Sequence, residues 1–336
     1  MDIPQYNLTP YLLKNITEIE RLYGNLESLK VPKELYVNLE RDNLVRSSYA
    51  SNKIEGNPLS IAEVTNLLLG SRIPANRDEK EVSNYFNILK TLENLIEPRI
   101  NIDTVIYIHK ILLSGVDNKI VGSIRDTEVV VGRFGESNEV IIKHKPPFHK
   151  RAEIEKVIIE LLDWVGNTDE NPLIKIGTFH HQFEYIHPFE DGNGRVCRLT
   201  TALLFLKNNY QINRYFVLDD YYDLDRDLYS DKLHSADKGD KTEWLEYFTD
   251  GVKYSLQSAL SKLQNGLDNL SINVRPTAKE KEVLELFKIR NEMKTSDLVK
   301  ELDVSRQQIH NLLSALVEKG LLMKKGSTKD SYYVLK

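Results

Sequence analysis

The chain is expected to be mainly helical, with one small β-hairpin and a separate C-terminal module. Long stretches in which apolar residues recur at helical spacing, free of Gly and Pro, predict the helices. A single pair of β-branched runs around a Gly-rich turn predicts the hairpin. Uneven charge predicts the module. The 336 residues carry a net charge of −5, yet residues 275–336 hold 13 Lys and Arg against 9 Asp and Glu, a net of +4 that leaves −9 on the residues before them. Such asymmetry points to parts with different partners.

A composition of 41% hydrophobic and 28% charged residues over this length supports a substantial core and two or three domains. Lys14, Glu18, Glu20 and Arg21 interrupt the apolar positions between Met1 and Lys30, so neither a signal peptide nor a spanning segment is expected there. The expectation is a protein of the cytoplasm with no membrane partner. Cys197 is the only cysteine, which excludes an intrachain disulfide and a cysteine-rich zinc site and leaves it a packing role.

Each element has its own signal. "PKELYVNLERDNLVRSSYASNKI" starts with Pro32, suited to a first helical turn, and is stopped by "EGNP", with Gly56 just past its end and Pro58 beyond. Ser60 and Glu63 in "SIAEVTNLLLG" form a capping box for the next helix. "DEKEVSNYFNILKTLENLI" and "AEIEKVIIELLDWVGN" carry the same helical spacing, and "TEVVVGRFGESNEVIIKHKPP" between them reads as the hairpin. There is no internal repeat. At "SINVRPTAKE" Pro276 breaks the periodicity and Thr277 can cap a new helix ahead of Glu280, placing a domain boundary at about residue 272.

The chemistry concentrates in "HPFEDGNGRVCR", residues 187–198. The preceding "NPLIKIGTFHHQFEYIH" puts Ile176, Phe179, Phe183 and Ile186 on one helical face, and Pro188 should end that helix at His187. A second helix should start near Arg195, because "RVCRLTTALLFLKNN" is apolar and unbroken. Arg195 and Arg198 then share a face of its first turn, where positive side chains are unfavourable unless an anion lies between them and the free backbone N–H groups. Gly192 and Gly194 let the backbone curl its amides into an anion nest. A polyphosphate fits these parts, with Asp191 placed to bring Mg²⁺ to its oxygens. A lone histidine near a helix end is ordinarily a packing residue, and a lone Gly-Asn-Gly ordinarily a turn. The combination of nest, two cations, an acid and a potential base points to chemistry.

The stretch resembles the signature of the Fic family, His-Pro-Phe-x-(Asp/Glu)-Gly-Asn-Gly-Arg-x-x-Arg, at every specified position, and the likeness extends to "GSIR" at 122–125, "KPP" at 145–147, "HHQFEYI" before the motif and "RDLYSDKL" at 226–233. It covers roughly residues 40–250. The resemblance implies a helical core at 101–271, preceded by a helical region at 1–100 and followed by residues 272–336. It implies transfer of AMP from ATP to a Ser, Thr or Tyr hydroxyl of a target protein. His187 would be the general base. Asp191 would hold Mg²⁺, Gly192, Asn193 and Gly194 would bind phosphate oxygens through backbone N–H groups and the Asn side chain, and Arg195 and Arg198 would clamp the β- and γ-phosphates. Phe189 would anchor the turn. Ile141, Ile142, Lys143 and His144 correspond to a flap that aligns a target backbone by strand addition. Tyr229 and Ser230 fall where the family often has paired tyrosines near the adenosine; Ser230 departs from that pattern.

"SNKIEG", Ser51 to Gly56, resembles the family's N-terminal inhibitory motif, (Ser/Thr)-x-x-x-Glu-(Gly/Asn). Glu55 would pair with Arg198 and leave ATP out of line for transfer. The C-terminal "TSDLVKELDVSRQQIHNLLSALVEKGLLMKKGSTKDSYYVL" resembles a winged helix-turn-helix: a helix from Thr295, a turn at Asp303-Val304-Ser305, a second helix with Leu312, Leu313, Leu316 and Val317, and a β-ribbon around Gly326. Arg306, Gln307, Gln308, His310, Lys324, Lys325 and Lys329 are candidate DNA contacts, although such domains also bind proteins or form homo-oligomers. The leading expectation is an autoinhibited protein adenylyltransferase. The alternatives are a hydrolase that removes AMP with the same site, and a DNA-binding regulator with a nucleotide-sensing pocket.

Overall fold

The computed structural model describes residues 5–70, 72–96, 99–134, 140–274, 276–290, 292–302, 304–326 and 331–335. The chain divides into two compact units, Met1–Leu263 and Gln264–Lys336. The division falls inside a long helix, α11 (Thr242–Val274), and Leu263 is the last side chain of that helix in the larger unit's core. The boundary expected at residue 272 lies further along the same helix.

The larger unit is built from helices α1 (Pro10–Ser28), α2 (Lys33–Ile54), α3 (Ile61–Leu69), α4 (Arg77–Thr91), α5 (Ile102–Leu112), α6 (Arg151–Asn167), α7 (Pro172–Ile186), α8 (Asn193–Lys207), α9 (Asp219–Leu224) and α10 (Arg226–Ser235), with α11 closing it. Local signals set many of the boundaries. Pro32 precedes α2, the Ser60–Glu63 capping box opens α3 with both of its bonds present, and Gly56 at φ +89° carries the chain away from α2. The hairpin is strands β1 (Val131–Phe134) and β2 (Val140–His144), antiparallel, with an irregularity between Val131 and Gly132.

At the centre lie α7 and α8. Ile176, Phe179, Phe183 and Ile186 are all buried as expected, but so is most of the rest of α7, and α8 is buried from Val196 to Leu206. Helices enclosed on all sides lose the amphipathic stripe of a surface helix. Enclosure also forces every charge they carry to find a partner. Cys197 is fully buried with its thiol facing the His180 carbonyl at 3.3 Å, and burial pushes that thiol up, away from reactivity. Among the described residues no helix is long and apolar enough to cross a membrane.

The smaller unit comprises α12 (Ala278–Ile289), β3 (Glu292–Met293), α13 (Thr295–Leu302), α14 (Arg306–Glu318), β4 (Leu322–Lys325) and β5 (Tyr332–Leu335). Val283, Phe287, Leu298, Ile309, Leu313, Leu316 and Tyr333 form its own core. Thr277 and Glu280 cap α12 reciprocally. The sheet has the order β3-β5-β4, so the expected ribbon gains a third, short strand that two residues of periodicity could not announce. Leu313 and Leu316 are buried, whereas Leu312 is half-buried and Val317 faces solvent. Gln308 forms a capping box with Ser305, so its side chain serves the start of α14; Arg306, Gln307, His310, Lys324 and Lys325 are exposed. Asp303 and Lys329 lie outside the described residues.

Candidate active site

The site forms where α7 hands over to α8. His187 sits just past α7 in the left-handed region at φ 53°, ψ 65°, a conformation that costs a non-glycine residue about 1–2 kcal/mol. Arg125 holds it there. Its buried guanidinium donates to the carbonyls of His187 at 2.6 Å, Ile186 at 3.0 Å and Thr127 at 2.6 Å, while the Arg125 N–H donates to the Pro188 carbonyl at 3.0 Å. One cation therefore satisfies two of the carbonyls left open where α7 ends. Arg125→Ala is expected to lower the free energy of unfolding by about 2–3 kcal/mol, read from urea denaturation. Arg125→Lys should recover only part, because an ammonium lacks the planar fork that reaches several carbonyls.

The same turn orients the imidazole. His187 Nδ1 lies 3.3 Å from the Glu184 carbonyl oxygen and 3.6 Å from the Glu184 carboxylate. Both can only accept from it, so Nδ1 carries the proton and Nε2 presents its lone pair. Burial by itself would raise the Glu184 carboxyl; the neighbouring His187 imidazole, aided by His180 and Arg198, outweighs burial and brings it down to about 2.

Phe189 anchors the turn as expected, fully buried and stacked on His109 with ring centroids 3.8 Å apart. Asn193 departs from expectation. Its side-chain oxygen accepts from Phe189 N–H and its amide donates to Phe189 C=O, both at 2.8 Å, so the side chain closes the turn and only its backbone is left for a ligand. That clamp lets α8 begin at Asn193, two residues ahead of Arg195, directly after Gly192 at φ 80°. His109 secures the other side. Its Nδ1 accepts from Gly122 N–H at 2.9 Å, its Nε2–H donates to the Asp191 carbonyl at 3.2 Å, and burial lowers it to about 4, so it stands neutral.

Both motif arginines are buried and both are held by acids. Arg198, with a side chain only 3% exposed, donates to Glu55 Oε1 at 2.6 Å, Ser51 Oγ at 2.7 Å and the Ser51 carbonyl at 3.0 Å, with Asp219 at 3.5 Å. Thus the two residues singled out in "SNKIEG" meet Arg198 directly. Glu55 lies so close to Gly194 that a β-carbon there would collide with Oε1. A carboxylate at the first turn of α8 is electrostatically where an anion belongs. Arg195 pairs with Glu81 of α4 at 3.0 Å and approaches Asp191 at 3.5 Å, while Arg77 bridges Glu81 at 3.0 Å and Asp191 at 3.4 Å. Sequence reasoning missed Arg125, His109, Glu184 and Glu81. "GSIR" held Arg125 and "HHQFEYI" held Glu184, neither with a role read for it; His109 and Glu81 lie in ordinary helical text.

Two expected contacts turn inward. Tyr229 is buried on Tyr222, ring centroids 4.4 Å apart, and its hydroxyl is 2.9 Å from His180 Nε2, so its ring offers no open face to adenosine. Packing of α10 on α7 is the reason. Ser230 beside it is half-buried. In the flap, Ile142 is exposed, Lys143 pairs with Asp231 at 2.8 Å and His144 is buried on Asp237 at 2.9 Å. The side chain of Ile141 lies outside the described residues.

Residues 99–205 match the model of the Fic/DOC family. The chain thus carries a Fic/DOC family domain, whose end contains the His187–Arg198 turn. Among curated proteins it is 27% identical over 251 residues to protein adenylyltransferase fic-1 of Caenorhabditis elegans, covering 70% of this chain and 46% of that protein. It is 25% identical over 288 residues to the namesake of Caenorhabditis briggsae, covering 82% and 52%. The chain therefore spans about half the length of these relatives. Among solved structures, a Fic family protein from Desulfovibrio desulfuricans G20 superposes with a TM-score of 0.69 at 26% identity, covering 99% of this chain and 98% of that one. Fic-1 of C. elegans, at 22% identity and a TM-score of 0.60 over 74% of this chain and 71% of that one, shares the fold.

Proposed function

We propose that the protein transfers AMP from ATP to a hydroxyl side chain of a protein, and that Glu55 holds this activity in check. One observation carries the reading: an imidazole with its Nδ1 on Glu184 and a free Nε2 lone pair stands at the lip of a helix start that gathers two buried arginines. His187 Nε2 takes the proton of the incoming Ser, Thr or Tyr hydroxyl as its oxygen bonds to the α-phosphorus. The bond from that phosphorus to the bridging oxygen of pyrophosphate breaks, and pyrophosphate leaves with the electron pair. The open N–H groups at the start of α8 and the arginines Arg195 and Arg198 stabilise the phosphate charge. Asp191 suits Mg²⁺: its carboxylate is a hard oxygen donor, 41% exposed beside the turn, and among the described residues its ion pairs are no closer than 3.4 Å. The ion neutralises phosphate charge when bound.

The β2 backbone is assigned to aligning the target by strand addition, since Lys143 and His144 are engaged by acids of this chain. The smaller unit, with its net positive charge, is assigned to docking on DNA or on a protein partner. Incubating the protein with ATP labelled at the α-phosphate tests the central reading: label is expected to appear covalently on the protein itself or on lysate proteins, with none from ATP labelled at the γ-phosphate. Label from the γ-position instead would make it a kinase-type transfer and overturn the proposal.

A further inference from the structure

Behind the flap, three histidines and an aspartate from four elements converge. His144 of β2 and His234 of α10 both aim Nδ1 at one oxygen of Asp237, Oδ2, at 2.9 and 3.1 Å, and their rings stack with centroids 5.2 Å apart. His181 of α7 holds the other oxygen, Oδ1, through Nε2 at 3.0 Å. The ligand atoms that His144, His234 and Asp237 offer all lie within 4.8 Å of one another.

The hydrogen bonds around the cluster decide its chemistry. His144 Nε2 faces the Tyr185 carbonyl oxygen at 2.9 Å, and a carbonyl accepts only, so Nε2 bears the proton and Nδ1 of the neutral ring bears the lone pair. A lone pair aimed at a carboxylate oxygen is repulsive unless a positive charge lies between them. A second imidazole nitrogen converges on the same oxygen. Either protons or a metal ion must supply that charge.

We propose that His144 Nδ1, His234 Nδ1 and Asp237 form a binding site for a divalent transition metal of the zinc type. Two imidazoles and a carboxylate are a donor set that zinc accepts, with a fourth position left to water. The surroundings follow the pattern of metal-binding histidines: the second ring nitrogen of His144 donates to a backbone carbonyl, and the second oxygen of Asp237 is held by His181. Tetrahedral bonds of about 2.0–2.1 Å place ligand atoms roughly 3.3 Å apart. The present 2.9 and 3.1 Å need to open by only a few tenths of an ångström. Entry is available, since His234 and Asp237 are partly exposed and a cavity of about 300 Å³ lined by His181, Tyr185, Asp237 and Lys241 adjoins them. The consequence falls on the flap. The ligands tie β2 to the end of α10, which Lys143 and Asp231 already join, so a bound ion would fasten the strand assigned to target alignment.

Titration of the full chain, first stripped with a chelator, tests the site independently of any activity. In excess Mg²⁺, Co²⁺ as a spectroscopic probe is expected to give d–d bands of tetrahedral type at one ion per chain, and Zn²⁺ to displace it. His234→Ala and Asp237→Asn should abolish the bands, with far-UV circular dichroism showing that each metal-free variant is still folded; Asp237→Asn, which loses a carboxylate shared by three imidazoles, is expected to lower the thermal transition. His181→Ala, which removes only the outer partner, should weaken binding about 10–100-fold. Absence of the bands in wild type, or bands unaffected by His234→Ala and Asp237→Asn, would overturn the proposal. So would an NMR spectrum in excess Zn²⁺ in which His144 keeps protons on both ring nitrogens, because protons would then hold the cluster together.

Discussion

Changing His187 to Ala is expected to reduce AMP transfer by about 100–10,000-fold, the range over which a positioned general base contributes. ATP affinity should change little, because the backbone N–H groups at the start of α8 and the guanidinium groups of Arg195 and Arg198 owe nothing to the imidazole. Equilibrium binding of ATP and covalent label from the α-phosphate, measured on the same preparation, separate the two quantities. The fold should survive, since the carbonyls that Arg125 holds at this turn belong to the backbone and remain when the side chain is cut back. Transfer at the wild-type rate in His187→Ala would remove the histidine from the mechanism.

Glu55→Gly is expected to raise self-modification by about 100-fold, the scale at which a reacting atom out of line by about 1 Å slows a reaction. The buried guanidinium of Arg198 now has Glu55 at 2.6 Å, beside the helix start that a phosphate would occupy. Removing Glu55 does not strand the arginine. Ser51 still accepts two of its hydrogen bonds and Asp219 remains at 3.5 Å, and Glu55 is 35% exposed, so the loss of stability should stay at about 1–3 kcal/mol. The gain should require Arg198. Adding Arg198→Ala to Glu55→Gly is expected to return incorporation to a low level, a non-additive outcome that marks two residues acting through one contact. Rates of the four proteins at saturating ATP and Mg²⁺, each corrected for its folded fraction, decide it. An unchanged rate for Glu55→Gly would end the inhibitory reading.

What could be read in the sequence was local. The start of α3, the stop of α2 and the cap of α12 are each written within a few neighbouring residues, because a capping box or a left-handed glycine is a contact between near neighbours. The turn from His187 to Arg198 was legible for the same reason: its glycines, acid and cations share twelve residues of chain. Partners were not. Arg125 reaches His187 across 62 residues, Glu81 reaches Arg195 from another helix, and the histidines around Asp237 come from three elements. Tyr229 and the Asn193 side chain, both read as facing a ligand, face the protein's own atoms because α10 packs on α7 and because the turn closes on Phe189. The sequence alone determined where several helices begin or end and which twelve residues make the turn between α7 and α8. That Glu81 and Asp219 also meet its arginines was decided only by tertiary packing: once α8 is enclosed, a buried guanidinium must have a carboxylate or a carbonyl, and the one it meets depends on which helices lie across it.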